Sequence, residues 1–314
     1  MTTLSQAMEL ALLEASKFVG ATAPNPPVGA VILDSEGLVL AVAAHERAGT
    51  AHAEAKALAI CEHAGTTARA HTAVVTLEPC NHHGKTPPCA DALLLAGIRR
   101  VVYGVRDPNP VAEGGAAKLR AAGVEIVEGV LGEECAELLL PFRTRLETGH
   151  PFVVVKTAHS RDDSMIPPTG TKTFTSPESL RLAHELRKSA DAVLTGSGTI
   201  LIDNPSFTVR HVEDFPGKIR FLAVMDRRRR VSTEWVAAAE KRGFRVVFPA
   251  TLEAALRFLG EQGCLTVLVE AGPTISGEVL ARGYWNRHYR IRQGAPGEAD
   301  AVSILANDNF PTLV

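Results

Sequence analysis

Short aliphatic and β-branched runs alternate with helix-periodic segments along almost the whole chain, and this alternation limits the fold to sheets covered by helices. Leu4, Met8, Ala11, Leu12, Ala15 and Phe18 recur at helical spacing, so residues 3–20 read as a helix that the Pro-rich stretch ATAPNPP stops. The runs 28-VGAVIL-33 and 38-LVLAVA-43 flank the turn Asp34-Ser35-Glu36-Gly37 and predict a hairpin. Strands at 73–77, 100–105 and 124–129 then alternate with helices near 52–63, 89–97 and 115–122. Residues 131–149 read as a connecting helix, after which a second α/β run begins at 152-FVVVKTA-158 and continues through strands at 192–196, 219–225, 244–248 and 265–270. With 314 residues, the chain divides into two domains, 1–147 and 148–314.

Apolar residues make up 46% of the chain and aromatic residues 5%, which predicts aliphatic, Ala-rich cores. A formal net charge of −2 argues against a nucleic-acid binder that lives on phosphate contacts. No apolar run reaches the length of a membrane span, and the first residues do not read as a signal peptide. Five cysteines, an odd and sparse set, suggest a reducing cytoplasm and metal or core roles rather than a disulfide frame.

The chemistry is written in two short stretches, 50-TAHAEAKALA-59 and 78-EPCNHHGKTPPCAD-91. His-x-Glu followed by Pro-Cys and a second Cys is the pattern of zinc nucleobase deaminases, although here the cysteines are nine positions apart rather than three. One imidazole (His52) and two thiolates (Cys80, Cys89) would leave a fourth tetrahedral position for water, whose pKa zinc lowers from about 15.7 to about 7. A carboxylate beside the metal, but not bound to it, must then move protons, and Glu54 is placed for that. Cys61, Cys135 and Cys264 are expected in the core.

At these residues the chain resembles the bifunctional riboflavin-biosynthesis deaminase–reductase family. The resemblance rests on the long inter-cysteine loop 80-CNHHGKTPPC-89 together with 24-PNPPVGAVI-32, 45-HERAGTAHAE-54 and 107-DPNP-110. It implies a cytidine-deaminase-like α/β domain acting on 2,5-diamino-6-ribosylaminopyrimidinone 5′-phosphate. It also implies that Asn25 and His45 contact the pyrimidine or ribose, and that His82, His83, Lys85, Asp107 and Asn109 contact base, sugar or phosphate. A nucleotide monophosphate needs a cationic, donor-rich lip, and His-His-Gly-Lys supplies one.

For the second half, the resemblance implies a dihydrofolate-reductase-like α/β domain that uses NADPH to reduce the ribosyl group to ribityl. Lys156 and the segment 175–210 match. Within them Arg187, Asp203 and Arg210 correspond to substrate-binding positions and Lys156 and Thr199 to cofactor-binding ones. In 269-VEAGPT-274, Glu270 would face substrate and Gly272 the cofactor, where a glycine and a helix N-terminus suit a dinucleotide phosphate. The run 226-DRRRR-230 reads equally as a 2′-phosphate site or a solvated strand end. Two departures stand out. The family loop Ser-Leu-Asp-Gly-Lys is replaced by 160-SRDDSMIPP-168, with Asp163 at the glycine and Ser164 at the basic position, and a Trp of some relatives gives way to 171-TKTF-174. The tail after Gly283 is polar and short, which predicts a truncated C-terminal sheet. Three readings follow. The first is a two-activity enzyme. The second is a deaminase with a non-catalytic binding or dimerisation domain, serving riboflavin or an azapteridine (toxoflavin-like) branch. The third is a zinc deaminase of a free base or nucleoside, which the phosphate-facing loop disfavours. The family also implies a homodimer or homotetramer.

Overall fold

The computed structural model describes residues 1–82, 87–166 and 174–313. They form two compact units, Met1–Leu146 and Glu147–Val314.

The first unit runs α1 (Leu4–Ser16), β1 (Gly29–Leu33), β2 (Val39–Ala44), α2 (Ala53–His63), β3 (Thr72–Leu77), α3 (Cys89–Leu95), β4 (Arg100–Val105), α4 (Gly115–Ala121), β5 (Glu125–Glu128) and α5, Gly132–Thr148, whose last two residues fall in the second unit. Its sheet has the order β2-β1-β3-β4-β5, with β1 antiparallel to both neighbours and β3, β4 and β5 parallel. The period-2 alternation of β1 explains the layering. Ala30 and Ile32 pack with Ala53, Ala57 and Leu93 on one face, while Val31 and Leu33 pack with Ala7, Met8 and Ala11 of α1 on the other. A methyl at Gly29 would lie 1.9 Å from the Ala11 carbonyl oxygen, so the glycine is what lets α1 sit this close. Helix α1 starts at a Thr3–Gln6 capping box and ends at Ser16, four residues short of the sequence expectation. Residues 17–20 continue as turns toward Gly20 at φ 89°, a conformation that ends a helix.

The second unit contains β6 (Phe152–His159), α6 (Pro177–Ser189), β7 (Ala192–Gly196), α7 (Ser197–Asp203), β8 (Arg220–Met225), α8 (Thr233–Lys241), β9 (Phe244–Val247), α9 (Leu252–Glu261), β10 (Thr266–Val269), α10 (Pro273–Ala281), β11 (Arg287–Arg292) and β12 (Ala301–Ala306). The order β12-β11-β6-β10-β7-β8-β9 puts β6 and β10 in the interior. All neighbours are parallel except β12, which runs antiparallel to β11. The truncated sheet expected from the polar tail is therefore corrected: the tail supplies β11 and β12. Asn286 helps to seat it, because its Oδ1 accepts the Val153 N–H at 2.7 Å. No helix among the described residues is long and apolar enough to cross a membrane.

Candidate active site

The parallel strands β3 and β4 end side by side, and a cavity of about 350 Å³ opens beyond them. Asn25, His45, His52, Glu54, Cys80, His82, Asp107 and Asn109 all line it. Cys80 follows β3 through Glu78-Pro79, Cys89 is the first residue of α3, and His52 is the N-cap of α2. His52 Nδ1 lies 3.6 Å from Cys80 Sγ and 3.3 Å from Cys89 Sγ. The three donor atoms fall within 4.8 Å of one another. A tetrahedral zinc with ordinary Zn–N and Zn–S bonds needs N···S separations of about 3.6 Å, so this donor set fits the ion. The Cys89 N–H also points at Cys80 Sγ, at 3.4 Å. The hydrogen bond from the Cys89 thiol, and then those from His52 and that amide, pull the Cys80 thiol down to about 4. The Cys89 thiol is pushed up, first by its bond to the Cys80 sulfur and then by burial.

Glu54 sits one step into α2, 3% exposed and outside the donor triad. Burial raises its carboxyl to about 7, against the lowering effect of its own backbone amide. A group with that pKa is both donor and acceptor of protons near neutrality. Burial lowers the pKa of His45 below its ordinary value. Its Nδ1 donates to the Ala51 carbonyl at 3.2 Å, leaving Nε2 to accept from Asn25 Nδ2 at 3.3 Å. Burial raises Asp107 to about 6, while its Oδ1 accepts the Asn109 N–H. His82 Nδ1 is buried with no hydrogen-bond partner among the described residues. His83 and Lys85 lie outside the described residues. Thr50, Glu78 and Phe142 also line the cavity and were not singled out from the sequence. Glu78 stands inside the quoted motif, but Phe142 on α5 is indistinguishable by pattern from a core residue. Cys61, Cys135 and Cys264 are buried and form no disulfide, and all three sit within the core clusters beside the sheets.

In the second unit, Glu270 just beyond β10 takes a forked bond from Arg187, with both nitrogens at 2.7 Å, and a contact from Lys156 Nζ at 3.0 Å. Burial opposes ionisation of Glu270, but the two cations overcome it and hold the carboxyl well below the usual range. Thr199 Oγ1 accepts the Gly272 N–H at 3.0 Å, which joins the start of α7 to the N-terminus of α10. The Arg210 backbone N–H donates to His184 Nδ1 at 2.9 Å, which ties that segment to α6. Asp203 is exposed at the end of α7, and no hydrogen bond or ion pair among the described residues joins it to Glu270. In the 226–230 run, Arg230 donates to Ser197 Oγ at 2.9 Å.

Asp163 adopts φ 64°, the left-handed region that a glycine would occupy freely and that Asp tolerates better than most residues. Its carboxylate meets Arg290 of β11 at 2.9 Å and His159 Nδ1 at 3.2 Å. The negative charge that this residue adds to the loop is paired by an arginine from the divergent tail. Residues 171–173 of the second departure lie outside the described residues.

Residues 1–105 match the cytidine and deoxycytidylate deaminase zinc-binding region, and residues 151–291 match the RibD C-terminal domain. The riboflavin biosynthesis protein RibD of Mycobacterium tuberculosis is 40% identical over 288 residues, covering 91% of this chain and 83% of that protein. RibD of Aquifex aeolicus is 45% identical over 217 residues, 68% of this chain and 60% of that protein. Among solved structures, the diaminohydroxyphosphoribosylaminopyrimidine deaminase/5-amino-6-(5-phosphoribosylamino)uracil reductase of Thermotoga maritima superposes with a TM-score of 0.85 at 33% identity, covering 98% of this chain and 92% of that one. Acinetobacter baumannii RibD in form 1 gives a TM-score of 0.79 at 30% identity, over 92% and 86% of the two chains. With a zinc-binding deaminase domain and a RibD reductase domain both present, this chain belongs to the RibD family of deaminase–reductases of riboflavin biosynthesis.

Proposed function

We propose that the first unit hydrolyses the amino group from C2 of 2,5-diamino-6-ribosylamino-4(3H)-pyrimidinone 5′-phosphate, giving 5-amino-6-(5-phosphoribosylamino)uracil and ammonia. The observation that carries this reading is the single cavity shared by His52, Cys80 and a buried Glu54 whose carboxyl titrates near neutrality. His52, Cys80 and Cys89 would hold zinc. Bound there, the ion supplies a Lewis acid that acidifies water. Glu54 would take one proton from the attacking water and deliver it to the ring nitrogen, then take the second from the hydroxyl left on C2 and pass it to the departing amine, so that ammonia leaves as the carbonyl forms. Asn25 and His45 line the base side, and His82, Asp107 and Asn109 present polar groups to base and sugar. His83 and Lys85 are assigned to base, sugar or phosphate from the sequence alone.

The second unit then reduces the ribosyl group to ribityl with hydride from NADPH. Lys156, Thr199 and Gly272 are assigned to the cofactor, and Arg187, Asp203, Arg210 and Glu270 to substrate. The Lys156–Glu270–Arg187 cluster and the seven-stranded sheet that carries it favour this over a non-catalytic scaffold. The 1–147 and 148–314 division is read as deaminase and reductase. The edge strand β12, with Val302, Ile304 and Leu305 each more than 40% exposed, favours self-association into a homodimer or homotetramer. Thiolate ligands favour a cytoplasmic site of action.

Zinc-loaded protein incubated with the diaminopyrimidinone phosphate, with and without NADPH, tests both steps by mass spectrometry. A ribityl product only in the NADPH tube establishes both activities. The deaminated ribosyl compound in both tubes rejects reduction, and unchanged substrate rejects deamination.

A further inference from the structure

Glu78 lies between the end of β3 and the Pro79-Cys80 turn, 7% exposed. Both of its carboxylate oxygens are engaged by backbone amides of a distant segment. Oε2 accepts the Asp107 N–H at 3.3 Å, just past β4, and Oε1 accepts the Ala116 N–H at 3.0 Å, in the first turn of α4. The hydrogen bonds that its carboxylate takes from the described residues come from these two backbone amides. A carboxylate buried against peptide amides alone is costly to keep unless both oxygens are used.

The two amides bracket the segment that carries Asn109. Inside the bracket, Asp107 Oδ1 accepts the Asn109 N–H at 2.9 Å and Asn109 Oδ1 accepts the Val111 N–H at 3.1 Å. The segment is also fastened beside the metal-ligand turn. The Asn81 N–H donates to the Ala112 carbonyl at 3.0 Å, and a methyl at Gly115 would lie 1.8 Å from the Pro79 carbonyl oxygen. The carboxylate of Glu78 therefore holds both ends of a loop whose two cavity-lining polar residues are Asp107 and Asn109.

We propose that Glu78 is a positioning residue: it sets Asp107 and Asn109 against the pyrimidine nucleotide without taking part in metal binding. This rests on the deaminase reading above. The test is Glu78→Gln, which keeps the shape but turns an NH₂ toward one of the two amides. KM for the phosphorylated diaminopyrimidine rises by about tenfold, the scale of one charge-assisted hydrogen bond, while kcat stays within about threefold. Zinc content is unchanged. Asn109→Ala alone also raises KM, and the double variant raises it no further than the larger single effect, because both act through one loop. Glu78→Asp, which keeps the charge but withdraws it by a methylene, gives a smaller rise in KM and serves if the glutamine variant does not fold. An unchanged KM, a fall confined to kcat, additive effects in the double variant, or loss of zinc would each overturn the proposal. Amide hydrogen exchange reads the loop without activity: exchange across 107–116 quickens in Glu78→Gln while β1 and β3 stay protected, and unchanged exchange overturns the claim. Wild-type protein that releases no ammonia refutes the deaminase reading instead, and the exchange measurement still decides the role of Glu78.

Discussion

Replacing Glu54 with glutamine removes the proton carrier beside the donor triad while leaving the metal donors untouched. Positioned acid–base groups contribute about 10²- to 10⁴-fold, or about 2.7–5.4 kcal/mol of barrier. The structure favours the upper part of that range. Glu54 is 3% exposed at the base of the cavity, so solvent bases have little access to replace it. The loss in kcat is therefore expected to be about 10³-fold or more. Zinc content should remain at the wild-type level, since His52, Cys80 and Cys89 form the donor set without Glu54. The assay is ammonia release from the diaminopyrimidinone phosphate alongside metal analysis of the same sample. Activity within about fivefold of wild type at full zinc would refute the proton-carrier role. Loss of zinc would show instead that the carboxylate is a ligand.

Three further outcomes are expected. Cys89→Ser should abolish stable zinc binding, and unchanged metal content would refute the ligand assignment. Gly115→Ala should destabilise the first unit by about 3 kcal/mol or more, read by chemical denaturation, because the new methyl meets the Pro79 carbonyl at 1.8 Å and backbone cannot yield as a side chain would. Acidification should destabilise the second unit. Burial, with the Arg187 charge, depresses His184 to about 4, so the folded state resists a proton that the unfolded chain takes up near 6.5. That stabilisation is complete above pH 6.5 and is lost as pH falls toward 4. Glu270, also depressed, adds a loss of the same sign below its ordinary range of about 4.5. His184→Asn, whose Oδ1 can still accept the Arg210 N–H, should flatten the melting-temperature profile between pH 6.5 and 4; an unaltered profile would refute the histidine's part in it.

Sequence by itself determined whatever depends on local pattern and on residue chemistry. Strand and helix periods are short-range, so β1, β2, β3, β4 and most helices could be read from the chain. The metal donors were readable because few residue types offer soft or imidazole donors, and the spacing around Pro79-Cys80 and His52-Ala53-Glu54 narrows their use. Tertiary structure alone decided what depends on pairing across long separations. Arg287–Arg292 reads as polar tail, yet it becomes a strand because β6 supplies a parallel partner along its length. Arg290 neutralises Asp163 from 127 positions away, a relation no local pattern contains. Asp203 matches a substrate position by sequence but is exposed in the fold and unjoined to Glu270 among the described residues. Phe142 is buried yet also lines the cavity, and Glu78 engages amides 29 and 38 residues away with its two oxygens. A sequence states which groups a residue can offer; only the folded chain brings those groups to their partners, because hydrogen bonds and ion pairs act over a few ångströms of space regardless of separation along the backbone.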